Sequence, residues 1–239
     1  MTPHLTEIWV YLSATPLLGL TLTLLAYQAA YWLYARSGMN PLANPVAIAV
    51  AIIVALLTLT GTPYATYFEG AQFVHFLLGP ATVALAVPLY AQLPRLKQML
   101  GPALVALVAG SVTAIVSAMA IGWVLGGSPE TLLSLAPKSV TTPIAMGIAE
   151  KIGGLPSLTA VLVVTTGILG AVMARGLFTV LGCADHSIRG FAVGVAAHGI
   201  GTARAFQVSE TAGAFAALAM GLNGLATALL LPLIIGLWH

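Results

Sequence analysis

Apolar blocks of membrane-crossing length, separated by short polar or proline-marked breaks, set the pattern of this chain. Ile8 to Tyr34 and residues 45–61 are continuous. Between them "ARSGMNPLANP" carries Pro41, Asn44 and Pro45, which mark a turn and a helix start. "AQFVHFLLGPATVALAVPLYAQL" (71–93) is long enough to cross a bilayer, but Gly79-Pro80 interrupts it. That pair fits one half-helix ending at glycine and another starting at proline. Residues 102–126, 155–181 and 212–236 read as continuous helices. Between them lie two more broken elements. "SPETLLSLAP" and "TTPIAMGIAEKIGG" form a pair of short helices within 128–154, and residues 190–210 break at Gly199-Ile200-Gly201. Continuous and interrupted helices thus alternate in the second half. The breaks "LLGPATVALAVP", "SLAPKSVTTPIAM" and "AAHGIGTARAFQ" align loosely, as internal repeats of a transporter would.

Composition settles the class. Of 239 residues, 59% are hydrophobic and 6% charged, with a mean hydropathy of +1.03. Soluble domains carry roughly a quarter charged residues, so a water-facing surface cannot be assembled. Residues 37–68, 70–94, 98–129, 152–174 and 211–239 contain no Asp, Glu, Lys or Arg. About 20 apolar residues span a bilayer. The expectation is one all-α, polytopic membrane domain filling residues 1–239, with roughly 7–8 transmembrane segments, several of them interrupted or re-entrant. The first block lacks a basic n-region and reaches Arg36 before any cleavage site, so it reads as a membrane helix rather than a signal peptide.

Charge and cysteine remove other classes. A net charge of +2 gives no footing for nucleic acid, and the single Cys183 excludes an internal disulfide or a cysteine metal site. No phosphate loop, His-x-x-x-His or Cys-x-x-Cys spacing, or nucleophile elbow occurs. Neither catalysis nor a cofactor is implied. Basic residues favour cytoplasmic loops, which places Arg36, Arg95 with Lys97, and Arg175 with Arg189 inside, and the N-terminus outside. Arg175 obeys this only if 128–154 enters and leaves on one face.

Two breaks carry the polar chemistry. In "SLAPKSVTTPIAM", Thr142 before Pro143 reads as an N-cap with an N1 proline. The unpaired N–H groups of that half-helix form an anion site, joined by the Lys138 ammonium and the hydroxyls of Ser139, Thr141 and Thr142. The plainer reading has Lys138 snorkel to water. In "AHGIGTARAF", Gly199 and Gly201 permit close backbone approach, Thr202 caps the next helix, and Arg204 sits in its first turn. A cation there opposes the helix dipole. Either a carboxylate such as Glu210 or Glu150 compensates it, or Arg204 and Lys138 together hold an anionic ligand. Glu69, His75 and His198 are secondary candidates for proton coupling, and Asn223 reads as interhelical glue.

At these motifs the chain resembles the LrgB/CidB family of bacterial membrane proteins, which is related to the C-terminal part of the plastid glycolate/glycerate transporter. The matching segments are "TYFEGAQFVHFLLGPATVALAVPLY" (66–90), "SLAPKSVTTPIAM" (134–146), "IGGLPSLTAV" (152–161), "HGIGTARAF" (198–206) and "GAFAALAMGLNGLATALLLP" (213–232). The resemblance implies a multi-pass protein of the cell (inner) membrane with one of two roles. One is antiholin-like control of murein hydrolase activity beside a small holin-like LrgA/CidA-type partner. The other is transport of a small monocarboxylate such as glycolate, glycerate or pyruvate. A lysine, hydroxyls and helix N-termini suit the second. Gly-x-x-x-Gly spacings at 122–126 and 190–194 suit homodimer faces or packing within one chain.

Overall fold

A computed structural model describes residues 16–236, all helix and connection among the described residues, in two compact units divided after Ala84. Residues 8–15 of the first apolar block lie outside the described residues.

In the first unit, α1 (Pro16–Arg36) packs on α2 (Pro45–Thr60) and α3 (Tyr64–Phe76), and α4 (Leu78–Ala84) follows. The turn before α2 forms as its residues dictate: the Asn44 side chain accepts from the Val46 and Ala47 amides, and Pro45 opens the helix. Gly61 closes it at φ 66°, a left-handed cap. Small residues let α1 approach its neighbours. Ala26, Ala30 and Ala49 bury each other, and Gly19 lies against the α3 backbone at Gly70.

The expected break at Gly79-Pro80 is displaced. α3 ends at Phe76, Leu77 forms the turn, and α4 already runs through both residues. Pro80 is the third residue of α4, where a missing N–H costs no helical bond. Pro88 is likewise third in α5 (Ala86–Ala91) and Pro94 second in α6 (Leu93–Val124). Prolines therefore mark helix starts here, two or three residues after the true interruption.

The second unit is built around α11 (Glu210–Gly236), the most enclosed of the four helices among the described residues that are long and apolar enough to cross a membrane. Half of its apolar window is buried, against 22% for α1, 17% for α6 and 22% for α9 (Pro156–Val180). α6 starts nine residues before the predicted 102 and keeps Pro102 in its interior. α2 is apolar but has 16 residues, about 24 Å at 1.5 Å per residue. The outward apolar side chains of these helices suit contact with lipid, consistent with a multi-pass membrane protein.

The segment 128–154 forms two short helices, α7 (Pro129–Leu135) and α8 (Thr142–Ile152). Ser128 caps α7 by accepting from the Thr131 amide. α7 is met from both sides in sequence: Gly122 of α6 faces Leu132 and Leu135, while Gly154 lies on the backbone of Leu133 and Ser134. Ser134 clips this closed, its hydroxyl accepting from the Leu155 amide at 2.8 Å and its carbonyl from the Thr159 hydroxyl at 3.1 Å. The chain after α8 thus comes back to α7, the helix that α6 also meets.

α10 (His186–Val208) is a hairpin of two half-helices, 186–197 and 199–208, with its vertex at His198 (φ 40°, ψ −133°). A Cβ placed on Gly201 would lie 2.7 Å from Val193 Cγ1 and 2.6 Å from Ala197 Cβ. In a straight helix residues 193 and 201 are about 12 Å apart, so the chain folds back. Gly190 and Gly194 then seat the outgoing half against Ala212 and Ala216 of α11. The 190–194 spacing is therefore used within the chain, and Gly122 is too. Gly194→Leu, which drives a side chain into Ala216, is expected to destabilise by about 1–3 kcal/mol or more. Fluorescence-detected gel filtration in detergent checks this by a lowered unfolding midpoint.

Candidate functional site

Asn223, buried in the middle of α11, joins the two breaks. Its amide nitrogen donates to the Ser139 carbonyl at 3.2 Å and to the Val195 carbonyl at 3.0 Å. Its oxygen accepts from the Ser111 hydroxyl of α6 at 2.5 Å. Only this orientation satisfies two carbonyls and a hydroxyl. The Ser139 carbonyl belongs to the non-helical stretch 136–141, and that of Val195 to the last turn before the vertex, where helix carbonyls lose their intrahelical donors.

One turn of α11 thus meets both half-helix starts. Met220 reaches Gly199 and the Thr202 hydroxyl, Asn223 holds Ser139, and Gly224 lies under Ile144 in the first turn of α8. Residues 220–224 rise about 6 Å along the axis. The packing explains the level. Below it α11 shares a cluster with Phe191 and Val195, and above it one with Ala136, Val140 and Ile148.

The predicted residues fall into three groups. Lys138, Ser139, Thr141 and Thr142 lie at the first break, with Ser139 buried and the other three half-buried. Lys138 Nζ donates to Ser139 Oγ at 3.4 Å. The cap is shifted by one residue: Thr141, not Thr142, is the N-cap, and its side chain makes no cap hydrogen bond. Pro143 at the second helical position fixes that start. The hydroxyl of Thr141 is therefore not consumed in capping.

Gly199, Gly201 and Thr202 begin the returning half of α10. Here the sequence reading needs correction. The break falls at His198 rather than Gly199-Ile200-Gly201, and Thr202 is no cap. Its hydroxyl donates back to the His198 carbonyl at 2.7 Å. Because the half-helix starts at Gly199, Arg204 is its sixth residue and nearer its C-terminal end, where a cation no longer opposes the dipole. Arg204 Nη1 donates to Gln207 Oε1 at 3.0 Å, and the side chain lines a cavity with Arg175, His186 and Arg189; Lys138 is not among that cavity's lining residues.

The proton-coupling candidates separate. His198 is buried, and Nε2 lies 2.9 Å from the Val163 carbonyl of α9. A carbonyl only accepts, so Nε2 carries the proton and Nδ1 is left to receive one. Gly167 makes room for the ring, since a Cβ there would lie 2.8 Å from Cε1. Glu69 is exposed on α3 of the first unit. His75 is also on α3, and its side chain lies outside the described residues.

Sequence reasoning missed the Val163 carbonyl, the Gly167 notch and Ser111. A weak signal existed in Gly167-Ile168-Leu169-Gly170, two glycines on one helix face, with Gly170 receiving Ala197. His198 also bears the strain of the vertex, a left-handed φ that glycine adopts freely and histidine does not. His198→Ala keeps the strain and loses the ring's bond, whereas His198→Gly loses the bond and relieves the backbone. The expected result is that glycine is less damaging than alanine by about 1–2 kcal/mol in thermal unfolding.

With this geometry in place, comparison with known proteins is decisive. The LrgB-like family model matches residues 23–237. The chain belongs to the LrgB-like family. This LrgB-like protein is 31% identical over 221 residues to the antiholin-like protein LrgB of Bacillus mycoides, covering 92% of this chain and 95% of that one. It is 29% identical over 200 residues to the holin-like protein CidB of Staphylococcus epidermidis, covering 84% and 87%. It is 37% identical over 180 residues to YwbG of Bacillus subtilis, covering 75% and 80%. No solved structure matches it.

Proposed function

We propose that this LrgB-like protein is not an enzyme but a transporter of small monocarboxylates of the glycolate, glycerate or pyruvate type. The observation that carries this reading is the convergence of two half-helix starts, 142–144 and 199–201, on one turn of α11 beside Lys138. Each start presents backbone N–H groups and the positive end of a helix dipole. Lys138 supplies a full charge, and the hydroxyls of Ser139, Thr141 and Thr142 suit the second oxygen and the hydroxyl or oxo group of a two- or three-carbon acid. Broken helices that meet in mid-membrane are the usual form of transporter sites. His198 Nδ1, left without a proton by the bond from Nε2 to Val163, is the point we propose for proton coupling.

Under this reading Ser134, Asn223 and the α11 spine hold the breaks while the membrane-facing helices form the scaffold, and the interrupted elements move against that scaffold as an elevator. A cross-link that locks one face and leaves uptake intact would refute the elevator. The proposal itself is tested by reconstituting the protein in liposomes and following labelled glycolate and pyruvate, with an entrapped dye as leakage control. Saturable uptake without dye loss is the expected outcome.

A second reading rests on the names of the relatives. Antiholin-like control of murein hydrolases, through a small holin-like membrane partner, would need no anion site. Dye leakage without saturation, or activity that appears only with such a partner, would favour it.

A further inference from the structure

We propose a second anion site, for a phosphate group, in the basic cavity between α9 and the base of the α10 hairpin. This goes beyond the transport reading and does not depend on it. The cavity has a volume of about 260 Å³ and draws Arg175 from α9, His186 and Arg189 from the outgoing half of α10, and Arg204 from the returning half. No Asp or Glu is among its lining residues, while Phe178, Val193 and several alanines form the walls. Arg175, His186 and Arg189 flank the connection between α9 and α10, and Arg204 joins them because the hairpin folds back at His198. A loop carrying positive charge for topology alone would have no reason to gather them around a concavity.

The geometry is partly fixed in advance. Arg189 donates through Nε to the Cys183 carbonyl and lies over the Phe178 ring at 5.7 Å, so its remaining guanidinium nitrogens are held in place. Arg204 is anchored to Gln207 in the same manner. Asp185, next in sequence to His186, is engaged elsewhere. It pairs with Arg95 at 2.6 Å, and hydrogen bonds led by the Ser187 hydroxyl hold its carboxyl below the ordinary carboxylate range. That pair also places the start of α6 and the loop before α10 at one level, with Lys97 nearby in sequence. By the positive-inside tendency this is the cytoplasmic end.

Three guanidinium forks and an imidazole exceed what a monocarboxylate needs. They match an anion with three or four oxygens and one to two charges, which arginine binds in bidentate fashion. Such a group comes from a phospholipid headgroup, whose glycerol and acyl carbons would follow the apolar walls, or from a soluble phosphate.

The test measures the unfolding midpoint of the purified, full-length protein in neutral detergent. It is titrated in turn with inorganic phosphate, with phosphatidylglycerol and with phosphatidylcholine. Arg175→Gln serves as the main variant because Arg175 is exposed and its replacement spares the anchors of Arg189 and Arg204. Stabilisation by phosphatidylglycerol alone assigns the site to a headgroup, by phosphate alone to a soluble ligand, and by both to the shared oxyanion. In each case Arg175→Gln should weaken the apparent affinity by about tenfold, and Arg175→Lys should recover part of it. Lys138→Ala should leave it unchanged. The proposal is overturned if neither anion stabilises more than phosphatidylcholine, or if Arg175→Gln responds as the wild type does.

Discussion

Replacing Asn223 by leucine should separate the two breaks and remove both fold stability and transport. Leucine matches the apolar helix around it and by propensity alone would be welcome. Yet it strands the Ser139 and Val195 carbonyls and the Ser111 hydroxyl in a buried, water-poor interior. Interhelical hydrogen bonds in membranes are worth about 0.6 kcal/mol on average and up to about 1.7. Three of them at once give a loss of about 2–5 kcal/mol. Thermal unfolding in detergent measures this, and Asn223→Asp distinguishes its parts. Aspartate still accepts from Ser111 but can donate to one carbonyl at most, and only as the neutral acid, so it should be nearly as damaging as leucine. A variant with leucine at 223 and wild-type stability would show that α11 does not organise the site.

The second large effect concerns Lys138. Lys138→Ala removes the ammonium from a segment whose neighbours Pro137, Ser139 and Val140 are all buried. Because it removes a half-buried charge rather than a packing group, stability should change little. The substrate carboxylate would then depend on helix N-termini and hydroxyls alone. A charge-assisted hydrogen bond contributes about 1.5–3 kcal/mol, so uptake at low substrate should fall by about tenfold to a hundredfold. Lys138→Arg should retain part of the activity, since the charge survives while its position shifts. Uptake after Arg204→Gln should fall far less, because Arg204 lines the basic cavity rather than the break beside Lys138.

Much of this was legible in the residues because the breaks are written in proline, glycine and hydroxyls. Ser128-Pro129 and Asn44-Pro45 open α7 and α2 where the sequence says, Gly61 closes α2, and Gly153 closes α8. What failed was placement within a break. Pro80 pointed to an interruption that lies at Leu77, because a proline reports the first turn and not the residue where the previous helix stops. The glycines at 199 and 201 suggested the site of the break, whereas the sharp vertex is carried by His198. The tertiary cause is the seat that Gly167 and the Val163 carbonyl give to its ring. No local pattern contains that seat, whose residues lie 31 and 35 positions away. Arg204 was misplaced for the same reason. Once the helix starts at Gly199 its position along the dipole changes, and so do its neighbours. Asn223, by contrast, was readable as glue from its isolation in an apolar helix, though not that it ties both breaks together.

The central claim is that the two half-helix starts beside Lys138 hold a small monocarboxylate during transport. Counterflow in proteoliposomes tests it most directly. Vesicles are loaded with unlabelled glycolate, external label is followed, and wild type is compared with Lys138→Gln at equal amounts of folded protein. A saturable, transient overshoot is expected for the wild type and its near-complete loss in the variant, with entrapped dye retained in both. An overshoot of the same size in Lys138→Gln, or no overshoot with any two- or three-carbon monocarboxylate in the wild type, would contradict it.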